Sequence, residues 1–380
     1  MRSEYIYLVN IAVMLLAANI GGIISKKFKQ PAVLGQILMG VILGMGIMVK
    51  TELVTHLAEI GVIFLMFIAG LETDIDELKE SSKSSSLIAL GGVIFPFAFV
   101  GGATYFLTND SSISIFMGII ATATSVSISV QTLREIGKLR TKQGITILGA
   151  AIIDDIVGIL LLTIAIGIIS PESNVNVFLV LGKIVVFFII TVMCGIAITK
   201  LLRMLELKIN FEDKIVTYAI IVCFFLAFLS EELGVAAITG AYFSGVVFSM
   251  TSFRHRVSHD INKIASSIFT PLFFVAIGMG VDLKGAMAGL GMGSILIIVA
   301  ILGKIIGGGL GAKLSGFNKD EALQIGIGMV PRAEVAIIIA NLGLKLNVIS
   351  DKDLSIVILM VLVTTLVTPS LLKWSFSRVE

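Results

Sequence analysis

The chain has 380 residues, 57% of them hydrophobic and 14% charged, with a mean hydropathy of +1.05. A composition this apolar excludes an ordinary soluble globular domain. The net charge of +2 is spread over several loops rather than gathered in one tail or face, which argues against nucleic-acid binding.

Windows of about 19 residues predict thirteen membrane helices, at 5–25, 31–49, 53–71, 84–107, 112–134, 141–169, 176–202, 212–230, 233–250, 261–281, 285–312, 319–345 and 352–376. The chain is thus predicted to be an all-α polytopic membrane protein. The first apolar stretch opens an array of spans and is expected to be retained rather than cleaved as a signal peptide. After the third helix, ETDIDELKESSK is expected to form a surface loop or a short interfacial helix. Lys and Arg number 20 in one set of alternate loops plus the C-terminus, against five in the other set: Arg2, Lys50, Lys284, Lys345 and Lys352. This bias predicts an N-terminus outside and a C-terminus in the cytoplasm, in the cell membrane.

Helices 1 to 6 and 8 to 13 can be superposed as two halves of opposite orientation, with helix 7 between them. In helix 5 the sequence ATATSVSIS gathers hydroxyl and β-branched residues, and its counterpart in helix 12, GIGMVPRAEVA, carries a mid-span proline. Both are predicted helix breaks. Broken helices at matching positions of inverted halves point to a midplane binding site in a secondary transporter, because irregular backbone at that depth must line a cavity or meet a ligand.

The intramembrane charges fall in three helices: Asp154 and Asp155 in helix 6, Lys304 in helix 11, and Arg332 with Glu334 in helix 12. Each costs about 2.5 to 3.5 kcal/mol at the bilayer centre even on the lenient insertion scale. At a rise of about 1.5 Å per residue, Asp155 lies roughly 20 Å from Lys142 and 25 Å from Glu172, near the midplane. Helix tilt can bring Lys304 level with it. Adjacent helical positions point about 100° apart, so one aspartate is expected to face Lys304 and the other a water-accessible cavity. That divergence argues against an aspartyl protease, whose carboxyls must meet across one site. A buried ion pair that only fixes packing would account for Asp154 with Lys304, but it leaves Asp155 unexplained. Arg332 and Glu334 are read as a supporting ion pair that secures the broken helix.

Weaker signals are read structurally. Glu59 and Glu72 lie near the ends of helix 3, where they can reach water. His255 and His259 are expected in a solvated cytoplasmic loop. Gly303, Gly307 and Gly311 in helix 11 suggest close helix packing around Lys304. Cys194 and Cys223 lie in apolar segments as packing residues, with neither a disulfide nor a zinc site implied.

Taken together, ATATSVSISVQTL, LGAAIIDDIVG, GKIIGGGLGAK and GMVPRAEVAIIIA resemble the monovalent cation:proton antiporters, in particular the second branch with its NapA and GerN type of bacterial Na+/H+ exchanger. The resemblance runs along essentially the whole chain. It implies a Na+/H+ antiporter fold with two broken helices crossing near the midplane, and a homodimer in membrane lipid. A mobile core would comprise 84–170 and 283–380, a scaffold 1–83 and 212–282, and a linker 171–211. It also implies that Asp155 binds Na+, that Asp154 pairs with Lys304, that Thr124 and Ser125 line the cavity, and that Glu334 sits near the crossing. No cofactor is implied; Na+ and H+ are the cargo. Related glutathione-gated potassium efflux systems carry glutamine before the aspartate and a cytoplasmic nucleotide-binding domain, whereas this sequence has DD and ends at Glu380. Sodium is therefore expected over potassium as the main ion, with lithium or potassium as further candidates. A K+/H+ antiporter and a sodium-coupled organic-anion symporter remain as alternatives.

Overall fold

The structure, a computed structural model, describes residues 5–49, 51–169, 176–206, 214–281 and 290–378. These residues form α1 (Ile6–Lys27), α2 (Ala32–Gly44), α3 (Glu52–Glu72), α4 (Ile75–Thr108), α5 (Ser111–Thr122), α6 (Val126–Glu135), α7 (Lys142–Ile169) and α8 (Val177–Glu206). There follow α9 (Ile215–Glu232), α10 (Ala237–Ser249), α11 (Arg254–Ile264), α12 (Thr270–Met279), α13 (Leu290–Leu314), α14 (Lys319–Gly328), α15 (Glu334–Lys345) and α16 (Asp351–Ser377).

Helix occupies each of the thirteen predicted ranges. Among the described residues, ten segments are long and apolar enough to cross a membrane unaided, and the apolar helices at Ala32–Gly44, Ala237–Ser249 and Val335–Lys345 are shorter. Helix starts follow local chemistry. Asp74 accepts from the amides of Asp76 and Glu77 at the start of α4, and Asn318 with Glu321 closes a capping box on α14.

Two expectations are corrected. The segment DELKESSK is neither a loop nor a separate interfacial helix: with Asp74 as its cap, it forms the first turns of α4, which runs 34 residues without interruption. Likewise His255 and His259 lie on α11, not in a loop. That helix continues through a π-helical turn, Ala265–Phe269, directly into α12. The amphipathic charge pattern of RHRVSHDINKI is compatible with helix once one face packs, and Val257 and Ile261 are the buried positions.

Close helix crossings run through glycines. A Cβ on Gly307 of α13 would lie 2.1 Å from the carbonyl oxygen of Gly91 on α4, and one on Gly91 would lie 2.2 Å from that of Gly307. Gly303 and Gly311 face α4 as well, at Pro96 and at Leu87 and Ile88, so the small residues around Lys304 do serve close packing. Gly40 on α2 meets Gly278 on α12, and Gly70 on α3 meets Gly245 on α10. Exchanging the second and third spans for the ninth and tenth converts one of these contacts into the other, as two inverted halves require. Helices α1, α2, α3, α9, α10 and α12 pack among themselves, and α4, α5, α7, α13, α14, α15 and α16 among themselves. The half-helix α6 touches both groups, through α2 and α3 on one side and α7 and α16 on the other.

Candidate functional site: two crossing breaks and an aspartate pair

The fifth span breaks between α5 and α6, and the twelfth between α14 and α15. At 123–125 and 329–333 the chain leaves helical geometry, which frees carbonyls at the ends of α5 and α14 and amides at the starts of α6 and α15. The two breaks satisfy each other. The Ser125 amide donates to the Pro331 carbonyl at 2.6 Å and the Ser129 hydroxyl to the Gly328 carbonyl at 2.6 Å, while Thr365 of α16 donates its hydroxyl to the Arg332 carbonyl at 2.6 Å.

Arg332 is fully buried at this crossing. Its guanidinium donates twice to the Ala121 carbonyl, at 3.1 and 2.7 Å, and to the carbonyls of Val330 at 2.8 Å and Ala300 at 3.2 Å. A positive charge thereby sits at the C-terminal end of α5, where the helix dipole is negative. The expected partner, Glu334, begins α15, and its side chain lies outside the described residues. Backbone carbonyls therefore account for every described hydrogen bond of Arg332, a role that the fork of guanidinium donors suits.

Asp154 and Asp155 lie on α7 beside the breaks, and their environments differ. Asp154 is 2% exposed, with Lys304 Nζ 3.2 Å from Oδ1 and 3.1 Å from Oδ2. Lys304 itself is fully buried. The Thr124 hydroxyl donates to Asp154 Oδ2 at 2.5 Å. Asp154 thus bridges both halves: Lys304 reaches it from α13, and Thr124 from the break in the fifth span. Asp155 is 9% exposed and, with Asp154, lines a cavity of about 590 Å³. Further wall comes from Thr122 and Ala123 at the break, Ile63 on α3 and Ile159 one turn beyond Asp155, and the mouth carries Glu59 and Glu231.

Thr124 and Ser125 were expected on the cavity wall, and neither is among its lining residues. The extended backbone at the break turns their side chains inward, Thr124 onto Asp154 and Ser125 onto the Ser127 hydroxyl at 3.2 Å. Thr122 and Ala123 take the lining positions instead. The rim was not legible in the sequence. Glu59 is held by His56 at 3.1 Å, and Glu231 accepts from the Ala237 amide at 3.0 Å; α3 and α9 are brought to one mouth only by packing.

Residues 12–378 match the family model described as sodium/hydrogen exchanger, transmembrane. The chain belongs to the sodium/hydrogen exchanger family. It is accordingly a monovalent cation:proton antiporter, a transporter rather than an enzyme, and a multi-pass membrane protein. A probable Na+/H+ antiporter, GerT of Bacillus cereus, is 40% identical over 96% of this chain and 98% of its own length. The Na+/H+-K+ antiporter GerN of the same organism is 39% identical over 98% and 97%. An Enterococcus hirae Na+/H+ antiporter is 37% identical over 97% and 98%. Among solved structures, the sodium proton antiporter MjNhaP1 of Methanocaldococcus jannaschii covers 99% of the chain, and 97% of that chain is covered in return, with a TM-score of 0.74 at 17% identity. That likeness shows the antiporter fold.

Proposed function

We propose that this antiporter exchanges Na+ for H+ by letting the two compete for Asp155, while Asp154, Lys304 and Thr124 hold the floor of the site. The observation that carries the reading is the contrast between the two carboxyls. Both line the cavity, but Asp154 is 2% exposed and tied to a buried ammonium and a hydroxyl, and Asp155, about 100° around the helix, is 9% exposed. A carboxylate facing water accepts a proton or a hard cation, and Na+ takes oxygen ligands. Asp155 with carbonyls released at 123–125 would supply them. A loaded site carries less uncompensated charge than the bare carboxylate, so the loaded forms cross during alternating access and the bare form does not.

On this reading α4 to α7 with α13 to α16 form the mobile core, and α1 to α3 with α9 to α12 the panel that dimerises in the membrane. That each group packs mainly within itself supports that division. The lysine-rich face is cytoplasmic, so the cavity mouth at Glu59 and Glu231 faces outward. Exchange is electrogenic, since two carboxyls and a lysine offer more than one titratable position per cation. Potassium is a second cargo to be tested, because GerN, 39% identical, is described as a Na+/H+-K+ antiporter.

The test is a proteoliposome assay with an internal pH dye, adding Na+, Li+ and K+ in turn under clamped voltage. Na+ should drive proton movement that depends on voltage, and Asp155→Asn should abolish it. Retained Na+-dependent proton movement in that variant would remove Asp155 from the site.

A further inference from the structure

The half-helix α6 has ten residues, hence a length of about 15 Å. One end adjoins the aspartates: Thr124 and Ser125 precede it, bonded to Asp154 and to the Pro331 carbonyl. The other end carries Arg134 and Glu135, at the lysine-rich face opposite the cavity mouth. There both residues bind the other group of helices. Arg134 pairs with Glu72 at the end of α3, 3.5 Å apart, and the two side chains are only 20% and 15% exposed. Glu72 is further held by Arg254, which donates to its carbonyl at 3.1 Å. Glu135 accepts from the amides of Ala32 and, at 3.2 Å, of Val33, so a carboxylate of α6 caps the N-terminus of α2. Gln131, one turn back, donates to Glu135 at 2.9 Å. Lys373 of α16 adds a bond to the Lys29 carbonyl before α2.

A second observation concerns the same boundary. The amide oxygens of Gln131, beside Glu135, and of Gln30, which shares a pocket with Glu135 and Lys373, are buried there and have no protein hydrogen-bond partner. Buried acceptors are ordinarily satisfied. Two such groups at one seam between packed helices are polar atoms that water can meet once the seam separates.

We infer that Arg134 and Glu135 form a latch that holds the lysine-rich end shut while the cavity is open at the opposite end, with α6 as the rigid strut between latch and aspartates. The inference rests on the alternating-access reading above. A displacement at Thr124 and Asp154 on ion exchange is transmitted along α6 to the Glu72 pair and the α2 cap. Release of both opens a path past Gln30 and Gln131. Arg134 and Glu135 are thus positioning residues that set which side the site faces, and neither touches the cation.

The test uses Ile68→Cys, a fully buried position one turn before Glu72 on the same face of α3, in a background with Cys194→Ser and Cys223→Ser. Labelling by a small water-soluble methanethiosulfonate is timed in the purified protein, and Na+/H+ exchange is measured on the same preparations. Arg134→Gln and Glu135→Gln should each raise the labelling rate about tenfold with exchange retained. The reversed pair, Glu72→Arg with Arg134→Glu, should return it to the slow rate, which a general loosening of the fold would not do. Unchanged labelling in both single variants, or a reversed pair as fast as Arg134→Gln, overturns the latch. If a single variant fails to exchange, Arg134→Lys, which keeps the charge, replaces it and should label at an intermediate rate; a parental rate there equally overturns the inference. Failure of the parental protein, with its latch residues intact, to exchange Na+ for H+ would instead count against the antiport reading itself.

Discussion

Lys304→Gln removes the one ammonium bonded to Asp154 and leaves a carboxylate that is 2% exposed with the Thr124 hydroxyl as its remaining described hydrogen-bond donor. At 3.1 Å and an effective dielectric of about 20, the lost attraction is about 5 kcal/mol. Burying the two charges offsets part of that gain, so the pair is worth far less than its Coulomb energy when compared with a neutral pair of similar shape. Breaking it from one side is nevertheless expensive, about 3 to 5 kcal/mol, because the uncompensated charge stays behind. The double variant Asp154→Asn with Lys304→Gln removes both charges and should recover most of the loss. A double-mutant cycle read by thermal unfolding in detergent should therefore give a coupling at least as large as one single loss, about 3 kcal/mol or more. Full additivity, with the double variant as unstable as the two single losses together, would refute the pairing as an energetic unit. The same proteins assayed for exchange separate function from stability. If the neutral double variant is stable and still moves net charge with Na+, the pair is structural and Asp155 alone does the coupling.

Three further outcomes follow from the same geometry. Thr124→Val keeps the shape but loses the donor to Asp154, and should cost about 1 kcal/mol of stability, with a several-fold weaker apparent Na+ affinity in the pH-dye assay. Gly307→Ala places a methyl 2.1 Å from the Gly91 carbonyl oxygen, forcing α4 and α13 apart around Lys304; a loss of about 1 to 3 kcal/mol is expected on unfolding. Gly102→Ala on the same helix α4 meets nothing within 4 Å and should be neutral or stabilising by about 0.5 to 1 kcal/mol, so equal losses in the two variants would contradict the crossing.

The class of protein and the chemistry of its centre were legible in the sequence because both depend on local, one-dimensional facts. A span is about 20 apolar residues whatever packs against it, and an acid inside one is costly enough to demand a reason. Two acids in succession must diverge, since helical geometry leaves them no common direction. The breaks were legible for the same reason, through a proline and a run of hydroxyl residues. Local pattern misled where capping decided the outcome. DELKESSK is polar by composition, and Asp74 nevertheless starts the helix that carries it into α4.

What only the tertiary structure decided is which groups from distant segments share a space. Lys304 lies 150 residues from Asp154, and Arg332 lies 211 from the Ala121 carbonyl it caps. The sequence offered Glu334 as the natural partner of that arginine; its side chain lies outside the described residues, and the Ala121 carbonyl freed by the opposite break meets the guanidinium from across the fold. Thr124 turned from the cavity wall to the aspartate, and Glu59 came to share a mouth with Glu231, through helix packing that no local pattern encodes. Hydropathy places a residue at a depth in the membrane. Its direction, and so its partner, depends on how the helices rotate against one another, which here is set at glycine crossings whose spacing along one helix does not name the helix they meet.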